Sequence, residues 1–241
     1  MTVSEGKPFS FWKAAWHVYL HPGVAAFEDV LPSASWRSAL LWTMVVAFFS
    51  NAINLLGLYI LYRSPQMAMM WRQFPPEWRR TVMPLLHPHG AAAWGRWTAL
   101  FLGLLIVSLF LSLLGQLFNT AVAHLAAKLM EGDATFGDSF YVLALADLPG
   151  WLISSVFSGF GSAIRALAPV GAVIALLFSL LSILVAIYIV ALNSFGLAAA
   201  HRLPTGKGIL AALAPLAVGM LLGCCVYSFV LFFGLMAFAG F

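Results

Sequence analysis

Long apolar runs set the pattern of this chain. Five follow one another from Trp36 onward, over about 36–62, 97–127, 140–163, 169–200 and 208–239, with polar breaks between them. Each exceeds the roughly 20 residues an α-helix needs to cross a hydrocarbon core about 30 Å thick. The pattern predicts an all-α polytopic integral membrane bundle of about five transmembrane helices. One run carries an interruption, Asp147-Leu148-Pro149-Gly150. Asp is a good helix N-cap and proline a good first-turn residue. The third span is therefore expected to be broken into two half-helices, with Asp147 capping the second.

The chain before Trp36 is patterned differently. Trp12, Trp16, Tyr19 and Leu20 fall at helical spacing on one face, interleaved with Lys13, His17 and His21. Two readings stand side by side: a helix lying in the membrane interface with its rings at headgroup level, or a helix packed on the protein's own end. This divides the chain into an interfacial amphipathic segment, 1–36, and a five-span membrane domain, 37–241. The segment lacks the short apolar core of a cleavable signal peptide, so the first run is expected to remain as an anchor. Between the first two runs, 64–96 holds five prolines and three tryptophans. It reads as an ordered cap or interfacial element. No tandem repeat is visible.

Composition sharpens the class. Hydrophobic residues make up 63% of the 241 and charged residues 8%, against about 45–50% and about 25% in soluble domains. That balance excludes an ordinary soluble enzyme, a nucleic-acid binder and a disordered linker. The net charge of +4 comes from basic residues flanking apolar runs, so membrane lipids are the expected partner, not nucleic acid. With the N-terminus inside, Lys7, Lys13, Arg37, Lys128, Arg202 and Lys207 fall on one side. Arg63, Arg72, Arg79, Arg80, Arg96 and Arg165 fall on the other. Six against six gives no orientation. Cys224 and Cys225 are adjacent, about 100° apart on a helix, and are poor disulfide partners for each other; they read as small packing residues.

Polar groups inside spans carry the candidate chemistry, because hydrocarbon makes each expensive. They are Asn51 and Asn54 on the first span, Gln116, Asn119, Thr120 and His124 along one stripe of the second, Asp147 and Pro149 in the third, and Asn193 in the fourth. Most are amides, which suits interhelical hydrogen bonds worth about 0.6 kcal/mol each. The alternative is a polar path for a small solute or ion, with Asp147 at a broken helix as its binding group. Ser108 with Ser112, Ser154 with Ser158, and Gly219 with Gly223 have the small-xxx-small spacing of close-packed helices. His87-x-His89 lacks the further ligands that a zinc site needs. Nucleophile-elbow, zincin and phosphate-loop motifs are absent. Neither catalysis nor a cofactor nor a metal is expected.

The order of features over 132–215 resembles the Yip family, the five-span domain named for interaction with Ypt/Rab GTPases. Gly132-Asp-Ala-Thr-Phe136 precedes Phe140-Tyr-Val-Leu-Ala-Leu-Ala-Asp-Leu-Pro149. A long span then ends on Tyr188, Leu192, Gly196, Leu197 and His201, followed by Thr205-Gly-Lys-Gly-Ile-Leu-Ala-Ala-Leu-Ala-Pro215. Trp16-His-Val-Tyr-Leu-His-Pro-Gly-Val-Ala-Ala-Phe27 is similar to the family's approach to its first span. The eukaryotic members carry Asp-Leu-Tyr-Gly-Pro on a long cytosolic N-terminus, whereas Asp147-Leu148-Pro149-Gly150 lies within a span, so the resemblance is to the prokaryotic branch. It implies Gly132, Phe136, Gly196, His201 and Pro215 as motif residues. It also implies a bacterial cytoplasmic (inner) membrane location with the N-terminus cytoplasmic. The expected role is that of a non-catalytic organiser or adaptor, binding lipids and other membrane proteins or itself.

Overall fold

The computed structural model of the chain describes residues 9–62, 64, 76, 80, 91–165 and 169–238. Among these there are seven α-helices: α1 (Phe11–Leu20), α2 (Val24–Val30), α3 (Trp36–Tyr62), α4 (Ala91–Leu129), α5 (Phe136–Arg165), α6 (Pro169–His201) and α7 (Thr205–Phe238). A 3-10 turn, Leu31–Ser33, follows α2. There is no strand among the described residues. The last five helices are each long and apolar enough to cross a bilayer. This is the all-α, five-span class expected, and α3 begins and ends with the first apolar run. The 64–96 cap, with His87 and His89, lies outside the described residues except for Ser64, Pro76, Arg80 and the first turns of α4.

The third span is not broken. α5 runs unbroken from Phe136 to Arg165, with both Asp147 and Pro149 inside it, so no second half-helix starts at Asp147. Its carboxylate accepts a hydrogen bond from the Gln116 side chain instead of from a helix N-terminus. Proline costs a helix one N–H bond and a clash with the turn before it, but surrounding helices hold such a helix together at membrane depth. α5 has that support. Every residue from Ser139 to Gly150 is buried, on all sides of the helix, and most of its apolar window is buried where no other span reaches a quarter. An all-round apolar helix enclosed in this way is the central element of its surroundings.

The chain divides into two compact units. The first comprises Met1–Ser35, Leu117–Leu143 and Val190–Phe241; the second comprises Trp36–Gln116 and Ala144–Ile189. In the first, the core is small and tightly spaced. Ala123, Ala127, Leu143, Leu197 and Ala211 form its centre, with Met130 and Leu203 packed against it. Gly196 and Gly208 let the helices close. A Cβ on Gly196 would lie 3.0 Å from the Phe27 ring and 3.2 Å from Val142, and one on Gly208 would lie 2.5 Å from the Ser194 carbonyl oxygen. α1 adds its Phe11, Ala14, Ala15 and Val18 to this core, all buried, and the Phe11 ring meets Tyr141 edge-on at 6.0 Å.

In the second unit α3 and α5 meet at two glycines. A Cβ on Gly57 would lie 2.5 Å from the Gly159 carbonyl oxygen, and one on Gly159 would lie 2.7 Å from Ile53. Two outer features differ from expectation. Gly219 and Gly223 face nothing within 4 Å, and Cys224 and Cys225 are exposed free thiols. They do not pack between helices among the described residues, because α7 is exposed on every side there from Gly219 to Phe229.

Candidate functional site

Two polar clusters are built by the spans, one in each unit. The first sits where α4 and α6 end and α5 and α7 begin. Both ends use the same local device. Gly132 N–H bonds the Ala127 carbonyl at 2.9 Å, and Leu203 N–H bonds the Ala198 carbonyl at 2.9 Å. These six-residue closures terminate α4 and α6, and each needs a left-handed residue. The positions are filled by Glu131 (φ 74°) and Arg202 (φ 54°) rather than glycine, at a cost of about 1–2 kcal/mol each. α5 then opens on a reciprocal cap. Thr135 Oγ1 donates to Asp138 Oδ2 at 2.7 Å, while Asp138 N–H donates to Thr135 Oγ1 at 3.2 Å. The Gly-Asp-Ala-Thr-Phe motif is thus a helix stop followed by a helix start.

Beneath this connector three side chains converge. His124 Nδ1 lies 2.9 Å from Ser139 Oγ, and His201 Nε2 lies 2.8 Å from the same oxygen. Ser139 Oγ is also 3.2 Å from the Thr135 carbonyl oxygen. One hydroxyl proton serves only one of these three neighbours, so at least one imidazole must donate its N–H to the serine oxygen. His201 is 1% exposed, and its Nδ1 has no partner among the described residues. That edge of the ring lies against Gly132, where a Cβ would come within 2.8 Å of the ring Cγ. Gly132 is required because His201 occupies the space of a side chain. Above the cluster the connectors are tied by Arg202–Asp133 at 3.4 Å, Lys207–Glu131 at 3.8 Å, and Lys207 Nζ donating to the Met130 carbonyl at 3.1 Å.

The second cluster joins α3, α4 and α5. Gln116 Nε2 donates to Asp147 Oδ2 at 3.0 Å, with Gln116 1% and Asp147 4% exposed. Asn51 Nδ2 donates to Ser112 Oγ at 3.0 Å and Asn54 Nδ2 to Ser155 Oγ at 3.4 Å, and Ser158 Oγ donates to Asn54 Oδ1. Of the stripe on α4, Gln116 and Thr120 are buried while Asn119 and His124 are partly exposed. Asn119 lies with Pro215 in an open groove between α4 and α7. Asn193 is buried near the end of α6. The sequence-derived candidates do not form one site: Gln116 pairs with Asp147, and His124 joins His201. Ser139 and the ion-paired connector residues were not singled out from sequence. A serine in a Gly-Asp-Ser stretch reads as turn chemistry, and its histidine partners lie far away along the chain. Among the described residues no group of three or more His, Cys, Asp or Glu is placed to hold a metal ion.

The motif residues therefore have physical jobs. Gly132 and His201 interlock, Gly196 admits Phe27, and Phe136 packs edge-on to His124 at 5.7 Å. Comparison with family models gives one that covers residues 16–227, the Yip1 domain. The chain belongs to the Yip1 domain family. Neither the curated proteins nor the solved structures contain a match to it. The family resemblance read from the Gly132–Pro215 motifs, though not its branch, is borne out by this match over residues 16–227. The Yip1 domain here is an integral membrane protein with five apolar helices.

Proposed function

We propose that this Yip1 domain is a non-catalytic membrane organiser. In this reading the α4–α5 and α6–α7 connectors form a docking face for other membrane proteins. The observation that carries it is the double tie of Asp133 to Arg202 and Glu131 to Lys207 over the buried His124–Ser139–His201 cluster. Exposed surface ion pairs add little stability, typically about 0–1 kcal/mol. Here they accompany a buried network that fixes the backbone beneath them. A charged surface held in one shape meets a partner at low ordering cost. By the family's topology this face and the N-terminus are cytoplasmic, in a bacterial inner membrane. The test is photo-cross-linking in native membranes from probes at Asp133 and Arg202. Capture of a reproducible membrane protein, lost in a Gly132→Leu variant that displaces the connector, is the expected result. Capture confined to the far ends of α3 and α4 would refute the assignment.

Asp147 favours a second reading, transport of a small solute or ion, because a carboxyl group buried in a span is costly to keep. Against it, the hydrogen bonds of Gln116, Asn51 and Asn54 are made within the protein, as expected of interhelical glue. The two readings separate in reconstituted vesicles. Flux that Asp147→Asn abolishes, with the fold intact, would establish transport; a wild-type protein without flux would eliminate it.

A further inference from the structure

α1 has two apolar faces, and only one of them is buried among the described residues. Phe11, Ala14, Ala15 and Val18 are buried in the first unit. The opposite face carries Lys13, Trp16 and Leu20, all exposed, with Trp16 at 51% and Leu20 at 71%. Trp12 and Tyr19, partly exposed, border it. Among the described residues of this segment, the exposed acids, Glu28 and Asp29, lie on α2. Aromatic rings and a lysine on one helix, and carboxylates on the next, are sorted as an interface sorts them. Indole and phenol rings prefer the headgroup layer, a lysine reaches anionic headgroups, and acids avoid them.

Chain length restricts the possibilities further. Only five residues, 31–35, separate α2 from Trp36 at the start of the first span, and they extend at most about 18 Å. Three of the five are wound into a 3-10 turn. The end of α2 is therefore tethered within that reach of Trp36, where the first span begins.

We propose that the Lys13–Trp16–Leu20 face of α1 binds the headgroup layer of the surrounding bilayer and favours anionic lipid, while its Phe11–Val18 face locks onto the first unit. The sequence left membrane contact and self-packing as alternatives; the two faces accommodate both. This goes beyond the docking face of the connectors and stands whether or not they capture a protein.

The experiment uses the full chain with Cys224→Ser and Cys225→Ser, reconstituted in vesicles of phosphatidylcholine alone or with phosphatidylglycerol. A polarity-sensitive fluorophore is attached at Trp16→Cys, at Leu20→Cys, which keeps Trp16, or at Glu28→Cys. Quenching by headgroup-depth nitroxide lipid should exceed quenching by aqueous iodide several-fold at 16 and 20, with the order reversed at 28. Iodide access at 16 and 20 equal to that at 28 would overturn the proposal. So would shielding from both quenchers, which would mean that protein covers the face. In the Leu20→Cys protein, phosphatidylglycerol should deepen the nitroxide quenching and Lys13→Glu should remove that gain. A gain that survives Lys13→Glu would overturn the assignment of the lysine to anionic headgroups.

Discussion

Gly132 and His201 are one steric unit although 69 residues separate them in sequence. The imidazole fills the place where any other residue at 132 would put its side chain, and Ser139 fixes the ring from its other edge. Gly132→Ala must move the ring or the connector, and overpacking of this kind costs about 1–3 kcal/mol. Its thermal unfolding midpoint in detergent should fall clearly below that of the wild type. The variant should also loosen Lys207 from the Met130 carbonyl, read as faster amide exchange across 130–135. The sequence made Gly132 and His201 visible as family residues but not as contacts, because a glycine's reason for being glycine lies in its neighbour. Gln116 and Asp147 were legible as costly residues for the converse reason: an amide or a carboxyl in an apolar run must have a partner somewhere. Gln116→Leu removes the donor to Asp147 Oδ2 and should cost about 1–3 kcal/mol, measured by the same unfolding midpoint.

Among the elements, α5 and α7 mark opposite limits of what a spanning helix needs from its own chain. α5 is enclosed over Ser139–Gly150, whereas α7 is exposed all round over Gly219–Phe229. Their glycines should respond accordingly. Gly57→Ala drives a methyl into the backbone of α5 at Gly159 and should destabilise by about 1–3 kcal/mol. Gly223→Ala meets nothing among the described residues and should leave stability unchanged or raise it slightly, since alanine is the better helix former by up to about 1 kcal/mol. Side-by-side melts of the two variants decide this. The extents of all five spans were readable because apolar length is a direct record of bilayer thickness. The continuity of α5 was not, because Asp147 and Pro149 carry the local signature of a helix start. Only the enclosing helices and the Gln116 donor show that the signature is overridden.

At the scale of the whole molecule, the class was settled by composition and the family by a few motifs spread along the chain. The pairing of polar groups was not. Gln116 could serve Asp147 only once α4 and α5 were known to pass at that height, and His124 could meet His201 only once α4 and α6 were known to end together. The enclosure of α5 also bears on how the protein is made. This helix is the least apolar of the five spans, and an Asp at a helix centre costs about 2.5–3.5 kcal/mol on the insertion scale. Because α3 and α4 precede it in the chain, α5 meets the translocon with both already synthesised, and α4 brings Gln116. In a glycosylation-reporter assay α5 alone should insert poorly, and α3–α4 placed ahead of it should restore insertion unless Gln116 is replaced by leucine. The order of the spans along the chain then becomes an assembly schedule, in which the helix that most needs company arrives after its first companions.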